Sequence, residues 1–237
     1  NGTVTKISGA GTASIGKRIV NSSGHWKVGA GTLNLEGGGN DLNVMTVDAG
    51  AGTLAFNKGT FDMKSLVAAT GSTVAFTGGT ANFSGAYTGA TTNVDGGTVN
   101  FNYVSTTNRS STSALNLSSG TVGVAGTGFV GGGGIALTGT SVWKGGSVVG
   151  TGLVTVNSGA VLEKSGLGTV TFLSLMDNLG AVKITGGQID TTVAGHHVQS
   201  SGTWDFADNT AIVGGGDFLN NGTVTKISGA GTASIGK

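Results

Sequence analysis

Asp205 and Asp208, three residues apart in the segment WDFADN, are the carboxylates in this sequence best spaced to act together. If a chain corner brought them side by side, one could serve as general acid and the other as general base on a polysaccharide. The other acidic residues do not reinforce that reading. Asp48, Asp62, Asp95, Asp177 and Asp190 recur at no common spacing, and no lysine or arginine cluster accompanies them. A catalytic constellation needs converging groups, so no catalytic residue is assigned and the chain is expected not to be an enzyme. His196 and His197 are adjacent; on a strand they face opposite sides and cannot hold one metal ion together, so they read as surface or corner residues. GGGNDLN from Gly37 and GGGDFLN from Gly214 have the glycine-aspartate flavour of calcium turns. Such turns chelate when they stack in succession, whereas these two lie far apart and read as glycine corners, so no metal and no cofactor is expected.

Two residues remain as candidates for surface recognition. Trp143, in TSVWKGG, follows Val142, which the alternation places inward, so the indole is expected to face solvent. Arg109 lies in the polar run from Ser105 to Ser113, which lacks an apolar rhythm and reads as the main excursion from the regular structure. Trp26 and Trp204 differ from Trp143: they take the third place of GHW and GTW, where Val4 and Val224 stand in related segments, and are expected in the core.

The scaffold that must position these groups is written in glycine. Of 237 residues 48 are glycine, none is proline or cysteine, 10% are charged and 37% are hydrophobic. That composition is too apolar for disorder and too rich in glycine for helices, leaving strands joined by glycine turns. Without cysteine there are no disulfides, thiolate metal sites or cysteine nucleophiles. The net charge of +1 offers no basic surface for nucleic acid or anionic lipid. No run of about 18 apolar residues could span a bilayer as a helix, and the residues from Asn1 onward carry no basic-then-apolar pattern of the signal-peptide kind.

Two periods organise the chain. The segment from Asn1 to Lys17, NGTVTKISGAGTASIGK, returns letter for letter from Asn221 to Lys237. This predicts one tandem unit (1–220), followed by the start of a near-identical one (221–237), in a rod expected to continue. Within the unit a shorter motif recurs, Gly-Thr-apolar-x-apolar: GTLNL at Gly31, GTLAF at Gly52, GTVNF at Gly97, GTVTF at Gly168 and GTWDF at Gly202. Its third and fifth positions share one face of a strand and its threonine takes the other. The corner glycines recur at a nearly constant interval, as from Gly31 to Gly52 and from Gly180 to Gly202 to Gly222, and glycines seven apart subdivide it, as Gly52 and Gly59 do. The prediction is an all-β, right-handed parallel β-helix, a three-sided solenoid with about 20–22 residues per coil and about 10–11 coils per unit. At ~4.8 Å per coil one unit would advance roughly 50 Å.

Phe218 to Lys237, FLNNGTVTKISGAGTASIGK, and Asn21 to Gly38, NSSGHWKVGAGTLNLEGG, resemble repeats of large bacterial haemagglutinin-like proteins and autotransporter passengers. The resemblance implies a β-helix exported to the bacterial surface or medium and serving as a stalk, fibre or adhesin. Its partners would be neighbouring units of the same chain, laterally associated rods, and a surface glycan or host-cell ligand. A polysaccharide-binding or polysaccharide-cleaving β-helix is the alternative. A third reading is a threonine ladder of the ice-binding kind, drawn from Thr3, Thr32, Thr53, Thr73, Thr98, Thr169 and Thr203; of these motif threonines only Thr3 and Thr169, with the copy at Thr223, open the paired Thr-x-Thr it needs.

Overall fold

In a computed structural model, residues 2–129, 131–191 and 197–236 are described. They contain 27 strands and no helix. Most glycine-threonine segments form a short strand, such as Thr32–Leu35 or Thr53–Phe56, while the one at Gly168 opens the longer Thr169–Asn178, and every strand pairing is parallel to the equivalent segment one turn away. Parallel pairing between segments about 21 residues apart winds the chain into a β-solenoid of about 11 turns.

The pairings resolve into three walls visited in order. On the first wall the register runs Thr3, His25, Thr46, Val67, Thr88, Ser111, Ala136, Thr155, Asp177, Gln199, Leu219. The second wall begins Thr12, Thr32, Thr53, Thr73, Thr91 and ends Thr140, Val161, Ala181, Thr203, Thr223. The third passes from Ile19 through Gly39, Phe61, Ala81, Val99 and Val122 to Val148, and ends with Asp190, Val213 and Gly236. Six long strands, Gly39–Val47, Thr60–Ala68, Tyr87–Val94, Ser110–Leu117, Ser147–Val156 and Thr169–Asn178, carry the chain round a corner and serve two walls each.

Alternation sends one set of side chains from every wall into a single axial core. Phe56 stacks on Phe76 at 5.2 Å and Phe83 on Phe101 at 6.0 Å, because equivalent positions repeat along the axis. Trp26 and Trp204 are in this core, each paired with a valine of the duplicated segment, Val4 and Val224. Glycine opens the corners: Gly31 has φ +67°, and a Cβ there would lie 2.3 Å from the carbonyl oxygen of Gly11 in the preceding turn.

Candidate functional site

Trp143 faces inward, not toward solvent: it is fully buried and stacks 6.0 Å from Phe172. The frame runs from Gly139: in GTSVW the third and fifth places are Ser141 and Trp143, so Val142 points outward. A polar Ser141 at an inward position concealed the motif. The hydroxyl of this buried serine accepts the Leu115 N–H at 2.9 Å. Leu117, Trp143 and Lys164 are successive members of one inner column of the second wall.

Arg109 is half-buried and turned back onto the rod. Its Nη1 donates to Thr155 Oγ1 at 3.0 Å and its Nη2 to the Gly131 carbonyl at 3.4 Å. Burial raises the carboxyl of Asp177 above its ordinary pKa, and the Arg109 charge opposes that shift. The guanidinium therefore acts as a brace across several turns, and the excursion it anchors is shifted from the expected one. Strand Ser110–Leu117 takes the second half of the polar run, leaving residues 102–109 as the loop. A second loop, 125–129 and 131–134 among the described residues, leaves the same corner one turn later. The two are joined by Gly133 N–H donating to the Ser105 carbonyl at 3.2 Å. Together they form a knob at the edge between the third and first walls, where residues 84–86 suffice in the turn before.

The remaining candidates do not converge. No hydrogen bond or ion pair joins Asp205 to Asp208 among the described residues; Asp205 lies on a second-wall strand, while Asp208 sits at the following corner beneath Gly229 and Gly231. His196 lies outside the described residues. His197 Nδ1 is 3.1 Å from Asp217 Oδ2 one turn on, and His25 makes a similar contact with Asp48 at 3.2 Å. Among the described residues no three histidine, cysteine, aspartate or glutamate side chains group as a metal site. The threonines of the proposed ladder are divided: Thr32, Thr53, Thr73 and Thr203 stand on the second wall, Thr98 and Thr169 on the third, and Thr3 on the first.

Two features escaped the sequence. The first is a polar ladder on the outer face of the third wall. Arg18 donates to Asn40 Oδ1 at 2.8 Å, Asn82 to Asp62 Oδ1 at 2.8 Å, and Asn100 to Asn82 Oδ1 at 2.7 Å. Asn40, Asp62, Asn82, Lys64, Asn102 and Tyr103 line an open groove of about 1060 Å³ that ends against the knob. Asparagine or aspartate recurring at 40, 62, 82 and 100 is the signal that could have found it. The second is a set of inward lysines. The Lys164 amine is buried, and donates to the carbonyls of Ser165, Gly166 and Gly186 at 3.0, 3.1 and 2.9 Å. Lys6 does the same with Ser8, Gly9 and Ala30. The shared Lys-(x)-Ser-Gly-x-Gly in KISGAG and KSGLG marks the device: a lysine end-caps a strand by gathering the carbonyls of the glycine corner. Desolvation lowers the Lys164 pKa from its ordinary value.

The fold thus defines the protein as a three-walled parallel β-solenoid. Comparison with known proteins finds no matching family model, no matching curated protein and no matching solved structure. No helix among the described residues is long and apolar enough to cross a membrane.

Proposed function

We propose that the chain is a unit of a structural or adhesive fibre on the bacterial cell surface or in the surrounding medium, built from tandem solenoid units each equivalent to positions 1–220. The observation that carries this reading is the identical segment at both ends of a rod whose apolar core is continuous. A solenoid extends by adding turns, each burying the face of the last, so repetition lengthens it without a new interface design. Low charge and a threonine- and asparagine-rich surface suit lateral packing of such rods and contact with glycans. Electron microscopy of the protein in its native assembly is the test: continuous rods with an axial repeat of ~50 Å support the fibre, and isolated compact particles rule it out.

The groove beside the knob favours a second reading, binding of an extended polysaccharide. Amide and carboxylate groups at turn spacing can meet sugar hydroxyls, and the Tyr103 ring at the end offers a stacking surface. A glycan array probed with the protein and with Tyr103→Ala tests it; retention of a bound polymer after the ring is removed counts against the groove.

A further inference from the structure

The two copies of the repeated segment do not occupy equivalent walls. TVTK at Thr3–Lys6 lies on the first wall, where Thr3 pairs with His25. The same letters at Thr223–Lys226 lie on the second, where Thr203 pairs with Thr223. The following pieces shift alike: Thr12–Ile15 is on the second wall and Ser234–Gly236 on the third. Ten full turns and one further wall therefore separate the copies. Spreading the numbering offset, 221 − 1, over ten and one third turns gives about 21 residues per turn, the pitch of the solenoid itself.

We propose that successive units join with a phase offset of one wall, so that each is rotated by a third of a turn relative to the last. This rests on the tandem reading above. The join fills every wall. On the second wall, Thr223 would be followed by the next unit's counterpart of His25, at the same interval that separates Thr3 from His25 within this unit. On the first, core-facing Phe218 would be followed by the counterpart of Ile19, also core-facing, 21 residues on, since Ile19 of the next unit falls at position 239 in continued numbering (19 + 220, and 239 − 218 = 21). On the third, the counterpart of Thr32 would follow Thr232 as Thr32 follows Thr12. Val224, already paired with Trp204, would receive the next unit's counterpart of Trp26 on its other side, so that an indole from each unit flanks the same valine. The open strand edges and exposed Val4, Ile7, Val224, Ile227 and Ile235 of the two terminal turns are the surfaces this join covers.

The consequence is a screw. The knob formed by residues 102–109, 125–129 and 131–134 would appear on each of the three edges in turn, and three units would restore the starting edge. A fibre would then offer its groove and knob on all sides, with no blank face.

A chain carrying three consecutive copies of residues 1–220 tests both layers. Cryo-electron microscopy is expected to show one rod of about 150 Å with knobs on three different edges, a third of a turn apart. One continuous rod with all knobs on the same edge overturns the phase offset and spares the tandem reading, whereas three separate beads overturn the tandem reading and the join with it. The phase can also be read in the present chain, which has no cysteine of its own. Asp205→Cys with Thr225→Cys, neighbours on the second wall, is expected to cross-link on oxidation, since adjacent strands bring Cα atoms within the ~4.4–6.8 Å a disulfide needs. Cross-linking of Gln199→Cys with Thr225→Cys in its place would put the second copy on the first wall and overturn the offset.

Discussion

Lys164 and Tyr87 show how polar atoms are kept inside a core this narrow. The lysine amine satisfies three carbonyls that a glycine corner turns inward, so Lys164→Met leaves them unpaired and is expected to cost about 2 kcal/mol in urea unfolding at neutral pH. Its lowered folded pKa means that the unfolded chain binds more protons between that value and 10.5. This contribution makes stability rise with pH in the parent protein up to about pH 10, and that rise is expected to be absent from the variant. Tyr87 Oη bonds Thr92 Oγ1 at 2.7 Å, which in turn bonds Thr112 Oγ1 at 2.9 Å. Burial pushes the phenol above its ordinary value of 10.0. The sign is opposite to that of the lysine: the unfolded phenol ionises first, so stability is lost as pH rises above 10. Thermal melts of Tyr87→Phe are expected to lack that alkaline loss, and an unchanged pH dependence would falsify the assignment.

At the scale of elements, a corner is a glycine in the left-handed region stacked on the corner of the preceding turn. Gly31 and Gly71 both have positive φ, but a Cβ on Gly31 runs into the backbone of residues 9–11, and one on Gly71 meets nothing within 4 Å. Replacement of Gly71 by alanine is expected to cost about 1 kcal/mol, the conformational penalty alone, and of Gly31 about 2 kcal/mol more, since two turns must part. Equal losses in chemical denaturation would mean that contact between corners contributes nothing. The same elements explain how far the sequence could be read. The strands, their parallel stacking and their period follow from GTLNL, GTLAF and GTVNF, where every inward place is apolar. At GTSVW the pattern misleads, because Ser141 holds an inward place by means of a backbone hydrogen bond from another turn. Lys164 carries no signal of its own, because a lysine is inward only when corner carbonyls receive it. Arg109 and its loop were legible as an excursion, but its brace joins Thr155, 46 residues away, through a proximity that only the stacking of turns creates.

For the molecule as a whole, stability is the sum of turns and the contacts between neighbours. The middle turns carry the stacked phenylalanines and fully buried strands, while strands such as Thr3–Lys6 and Thr223–Lys226 are largely exposed. Hydrogen exchange is expected to be slowest in the strands between Phe76 and Leu117, outside the 102–109 loop, and fastest in the first and last turns; uniform protection along the rod would argue for a single all-or-none unit.

The three tryptophans give this gradient an optical form. Their indole N–H groups are all buried and without hydrogen-bond partners, so no water relaxes around the excited rings and emission should be blue-shifted. Trp26 sits in the second turn, Trp143 in the seventh and Trp204 in the tenth, which makes them built-in thermometers near one end, past the middle and near the other end. Variants keeping one tryptophan at a time would show which end of the rod melts first. In a joined fibre the outer two should melt with the central one, because neither would any longer be close to an end.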